Sequence, residues 1–159
     1  MNTKSQENSL FKNQILKWGI ILLILFSLIF IFKNTLFKSS LALKSYGAIS
    51  MDPEEAFHNN KPTFLEFYAD WCEVCQEMAP SIINLRDDYQ NDINFVFLNV
   101  DNPKWAKLVK KYNVNGIPQI NLIDSNTKLI TTLTGLQEEN SLRSSIEYLI
   151  ANEKEIKEL

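Results

Sequence analysis

The sequence predicts an α/β domain, a mixed central sheet with helices on both faces, preceded by a single N-terminal transmembrane helix. Three observations predict it. From Asp52 onward, stretches of helical periodicity alternate with short apolar runs and close on a hairpin pattern, in the order α-β-α-β-α-β-β-α. Near the N-terminus lies one apolar run too long for a core strand. Between the first apolar strand and the helix after it stands Trp71-Cys72-Glu73-Val74-Cys75, which holds the only two cysteines of the chain.

Composition narrows the function classes. With 159 residues, 45% of them hydrophobic, and a net charge of −3, the chain can form one core of about 100 residues plus an appendage. No basic patch fit for nucleic acid is present: Lys104, Lys107, Lys110 and Lys111 read as the solvated face of a helix, without interleaved aromatics. Two cysteines and one histidine leave a zinc site short of ligands unless two chains share it, so no metal is expected. His58 reads as a surface residue.

Residues 1–14 are a polar segment, with Lys4 and Lys12 against Glu7. Trp18 to Phe32 is apolar apart from Gly19 and Ser27, which gives only about 22 Å of helix against a hydrocarbon core of about 30 Å. Extending the span over residues 15–37, with Lys17 and Lys33 snorkelling, brings it to roughly 34 Å, sufficient for an anchor in membrane lipid. Trp18, Phe30, Phe32 and Phe37 then fall near the interfaces. A cleaved signal peptide is the competing reading, because Ser40-Leu41-Ala42 has suitable small residues and would leave a mature N-terminus near Leu43. The run is long for that purpose, and Lys33 and Phe37 intervene. A buried core helix is the third reading. The lysines balance across the span, so charge does not decide which side carries the domain.

Residues 38–51 read as a linker. Asp52 then caps a helix, with Pro53 in its first turn and Glu55 placed for a capping box, and the folded domain is expected over 52–152. Thr63 to Tyr68 is a strand buried on both faces. Cys72 falls at the start of the next helix, where unpaired backbone N–H groups and the macrodipole favour a thiolate over a thiol. Cys75, one turn on, is placed to attack a mixed disulfide on Cys72, so the pair can cycle between dithiol and disulfide. A purely structural bridge closes too short a loop to remove much unfolded-chain entropy.

That helix continues through Met78, Ile82, Ile83 and Leu85 to about Tyr89, with Pro80 inside it. Ile93 to Val100 is the second strand, and Asp101-Asn102-Pro103 opens a helix to Tyr112 whose Trp105, Leu108 and Val109 face the core. Gly116-Ile117-Pro118 precedes the strand Gln119 to Ile123, and Leu129 to Thr134 completes a hairpin. Gly135 ends the sheet, Leu142, Ile146, Leu149 and Ile150 mark the last helix, and 153–159 reads as a charged, fraying tail.

Trp71-Cys72-x-x-Cys75 after an apolar strand, Pro80 five residues past Cys75, Asp101-Asn102-Pro103, Ile117-Pro118 and Gly135 together resemble the thioredoxin family over about Asp52 to Asn152. The fold implied is the thioredoxin fold. Tyr68-Ala69-Asp70-Trp71-Cys72-Glu73-Val74-Cys75 and Leu98-Asn99-Val100-Asp101-Asn102-Pro103-Lys104-Trp105 resemble the membrane-anchored thioredoxin-like proteins of cyanobacteria and chloroplast thylakoids.

The resemblance implies a membrane-tethered thiol-disulfide oxidoreductase without cofactor, whose domain faces a thylakoid lumen or periplasm. Its partners would be protein dithiol or disulfide substrates and a membrane electron donor, and its work cytochrome c maturation and cytochrome b6f assembly. It implies Cys72 as attacking and Cys75 as resolving cysteine. Pro118 becomes a cis proline facing them, the Ile117 backbone pairs with a substrate strand, and Trp71 flanks the sulfurs as an apolar contact surface. The departures are Glu73 and Val74 where thioredoxin has Gly-Pro, Glu66 where it has a buried aspartate, Phe97 where it has a lysine, and Tyr68 where it has a tryptophan. Glu66, between Leu65 and Phe67 with no cation opposite, is expected to be buried and to titrate high. It is then poised as general base for Cys75. An oxidase for exported proteins, or a tethered assembly scaffold with little turnover, would carry the same two cysteines.

Overall fold

The computed structural model describes the backbone over residues 3–157 and the side chains of 16–33 and 41–154. The expectations for Lys4, Glu7, Lys12, Phe37 and the tail beyond Lys154 concern side chains outside the described residues. By contacts the chain forms two compact units, Met1–Phe37 and Lys38–Leu159.

The first helix, α1, runs from Thr3 to Ile49. Within it Leu16–Lys33 has a mean hydropathy of 2.2 and is long and apolar enough to cross a membrane. None of that window is buried, which is not the pattern of a core helix.

The second unit is built on four strands: β1 (Thr63–Tyr68), β2 (Asn94–Asn99), β3 (Gln119–Ile123) and β4 (Leu129–Thr134). They lie in the order β2-β1-β3-β4, β1 parallel to β2 and the other pairs antiparallel, so the sheet is mixed as the alternation of elements predicts. Strand β1 is central and buried at all six positions, because helices cover both faces. Its alternate residues divide between two cores. Phe64 and Tyr68 join Phe95, Phe97, Ile120 and Leu122 under α3 (Glu73–Tyr89) and α5 (Glu139–Lys157). Leu65 and Phe67 join Val96, Leu98 and Ile123 under α2 (Pro53–His58) and α4 (Ala106–Lys111), where Trp105, Leu108 and Val109 pack.

Two boundaries differ from expectation. The stretch read as the linker 38–51 is helical through Ile49, and Leu43 and Tyr46 are fully buried in the first core, so the folded unit begins well before Asp52. Their spacing of three residues puts both side chains on one face of the helix, and burying them orders the segment. Ser50 and Met51 then run along the outer edge of β2: Phe97 N–H donates to Ser50 Oγ at 2.9 Å, and Met51 N–H to the Phe95 carbonyl at 3.0 Å. This covers an edge that would otherwise be open to strand addition. At the other end, α5 continues to Lys157, and Glu153, expected in a fraying tail, is buried and accepts from Ser125 N–H at 2.8 Å. It satisfies a backbone donor in the β3–β4 turn, which explains its burial.

Candidate functional site

Strand β1 delivers the chain to the cysteine turn at the C-terminal end of its sheet. Cys72 is the N-cap of α3, with extended backbone, and its Sγ accepts the Cys75 N–H at 3.1 Å. When the pair is reduced, that N–H and the helix dipole act on the sulfur together and favour its ionisation. Cys72 and Cys75 are joined by a disulfide, and no cysteine is left free. Cys72 keeps 6% of its surface exposed while Cys75 keeps none, so an incoming disulfide meets Cys72 first.

Around the sulfurs, the predicted residues are dispersed by depth. Trp71 is 66% exposed on the rim, and its indole N–H donates to Asp101 Oδ2 at 2.9 Å, which fixes the ring instead of leaving it free to sweep. Pro118 is buried and follows a cis Ile117–Pro118 bond, with Ile117 half-buried beside it. Because Phe67 pairs with Gln119, Pro118 falls opposite Tyr68, at the sheet end where the cysteine turn begins. Gly135, at φ 81°, donates its N–H to the Pro118 carbonyl at 2.9 Å, so a left-handed residue that suits glycine ties down the proline loop.

Glu66 lies at depth. Between Phe64 and Tyr68 in the pleat, it faces the core that contains Cys75. It has no exposed surface, and among the described residues neither carboxylate oxygen has a well-formed hydrogen bond. Burial pushes its pKa up to about 8. The Tyr46 hydroxyl opposes that rise as a hydrogen-bond donor to the carboxylate, although the contact falls short of a well-formed hydrogen bond. Tyr46 is itself raised well above the usual phenol value, by burial and then by Glu66. Tyr68 is raised too, by burial and then by Asp70 and Glu66.

Two residues at the site were not expected from the sequence. Tyr46 lay in the presumed linker, yet Leu43, Tyr46 and Ile49 at three-residue spacing are the signal of a packed helical face. Asp101 reads from the sequence only as part of the turn that opens the next helix, and its bond to Trp71 spans 30 residues, which no local pattern reveals.

A strand feeding a helix-capping disulfide, with a buried cis proline at the same end of the sheet and a buried carboxylate on that strand, fits a domain of the dithiol-disulfide exchange class. The chain belongs to the thioredoxin family, whose family model matches residues 52–148. It is 44% identical over 94 residues to the thioredoxin-like protein HCF164, chloroplastic, of Arabidopsis thaliana, a match covering 59% of this chain and 36% of that one. It is 43% identical over 98 residues to the thiol:disulfide interchange protein TxlA homolog of Synechocystis sp., covering 62% and 54%. The chain thus matches about a third to a half of the length of these relatives. Among solved structures, a mutant thioredoxin from Halobacterium salinarum superposes with a TM-score of 0.55 at 28% identity, over 64% of this chain and 88% of that one.

Proposed function

We propose that the protein is a membrane-tethered protein disulfide reductase. Its domain works on the non-cytoplasmic side, in a thylakoid lumen or periplasm, and serves cytochrome c maturation and cytochrome b6f assembly. The observation that carries the reading is the Cys72–Cys75 pair at the start of α3, with Cys72 keeping a little exposed surface and Cys75 none. The Leu16–Lys33 helix supports the tether, and the similarity to chloroplast and cyanobacterial proteins supports the compartment.

In the proposed reaction the Cys72 thiolate attacks one sulfur of a substrate disulfide and expels the other as a thiolate. Cys75 then loses its proton to Glu66 and attacks the Cys72 sulfur. The second substrate thiolate leaves, and the pair ends as the disulfide. Two electrons and two protons pass to the substrate, and a membrane dithiol donor on the same side must return them. Trp71 offers an apolar surface to the substrate, and the Ile117 backbone beside Pro118 offers a strand edge.

Mechanism-based trapping tests this function. The full chain carrying Cys75→Ser in its native membrane should accumulate covalent adducts on Cys72 that dithiothreitol releases, with apocytochromes among them. Absence of adducts would overturn the reductase reading, and adducts restricted to cytoplasmic proteins would overturn the side.

A further inference from the structure

A second buried polar side chain, Tyr46, lies in the same core as Glu66, and among the described residues its hydroxyl likewise has no well-formed hydrogen bond. Tyr46 comes from the last turns of α1 and is held from two directions. Its ring stacks on Phe97 with centroids 4.0 Å apart and meets Tyr68 edge-on at 5.1 Å. Two aromatic contacts fix the plane of a ring, and the O–H bond then keeps only rotation about C–O. Phe97 and Ile120 flank Glu66 across the sheet and offer nothing polar from their side chains. From α3 comes Cys75, from the end of β1 Tyr68, with Asp70 in the turn beyond it, and among the described residues no lysine or arginine acts on the carboxylate. An ionised carboxylate in such a place needs a donor, because an unpaired buried charge is strongly disfavoured.

We propose that Tyr46 is a positioning residue for the exchange reaction: its hydroxyl, aimed by stacking on Phe97, donates to Glu66 when Glu66 is ionised and ready to take the Cys75 proton. The inference rests on Glu66 acting as that base. Tyr46 touches neither substrate nor sulfur in this role; it sets how readily the carboxylate exists. The Tyr46 hydroxyl already acts on Glu66 in the sense of a donor to the ionised form, and ionisation draws the two into a full hydrogen bond. The ring that covers the base thus belongs to the segment that leads into the domain from the anchor.

The test uses the full chain in detergent micelles with Tyr46→Phe, Glu66→Gln and the double variant. Tyr46→Phe keeps the ring contacts and removes only the hydroxyl. Two quantities are read: the titration of Glu66 from its carboxyl infrared band, and the single-turnover release of reduced peptide from the mixed disulfide between about pH 6 and 9. In Tyr46→Phe the Glu66 titration should move up by about half a unit or more, because the ionised form has lost its donor. Release at pH 7 should then slow about threefold, the fall in the ionised fraction that half a unit implies. Formation of the mixed disulfide should be unchanged, and Tyr46→Phe should add no slowing to Glu66→Gln. An unmoved titration overturns the proposal while leaving Glu66 as base. Equal slowing in the Glu66→Gln background also overturns it, since that is the mark of a packing defect. Release at the wild-type rate in Glu66→Gln overturns the base reading, and the positioning role with it.

Discussion

A carboxyl group with no exposed surface and no well-formed hydrogen bond is rarely retained for stability, and among the described residues Glu66 is such a group. Its pKa of about 8 makes it neutral at pH 7 in the folded state, whereas the unfolded chain ionises it near 4.5. Between those values the folded state holds the extra proton, so this residue makes stability fall as pH rises from about 5 through 8. The loss should be on the order of a few kcal/mol, and Glu66→Gln should flatten it. Denaturant unfolding of both proteins at pH 5 and 8.5 checks this; parallel pH dependence in the two would place the titrating group elsewhere. The same raised pKa suits a base for Cys75, so Glu66→Gln should slow release of the reduced substrate far more than formation of the mixed disulfide.

Among the elements, the end of α1 changes the picture most. Leu43 and Tyr46 are as buried as the strand residues they cover, and the sheet edge beyond them is closed by Ser50 and Met51. Leu43→Ala should therefore cost about 2–4 kcal/mol, as for other core leucines, where a linker residue would cost almost nothing. A change in unfolding free energy below about 0.5 kcal/mol would return the segment to linker status. The strands and the other helices were legible because each carries its own periodicity between turn residues, from Thr63–Tyr68 to the Leu142, Ile146 and Leu149 face. The end of α1 was not, because Ser39, Ser40, Ser45 and Gly47 dilute its pattern and its partners Phe95 and Phe97 lie about 50 residues on. Glu153 was misread for the same reason: a charged residue near a terminus looks solvated until the β3–β4 turn it caps is in place. The helix-start position of Cys72 and the burial of Glu66 were legible from local sequence and the cis proline from the family resemblance, while the Tyr46 and Asp101 contacts depend on the tertiary fold.

For the whole molecule, the proposed tether and the proposed chemistry fit one another. A domain held at a membrane surface meets its electron donor and its substrates in two dimensions, which raises their effective concentration without any new contact. Such an arrangement is useful only if the cysteine pair turns over, and a scaffold built on the same fold would need no reactive sulfur at all. Disulfide reduction of an insulin-type substrate by the full chain, comparing wild type with Cys72→Ser at equal substrate binding, tests this most directly. Cys72→Ser should abolish turnover while leaving the fold and the binding of substrate intact. Substantial residual reduction by Cys72→Ser would contradict it.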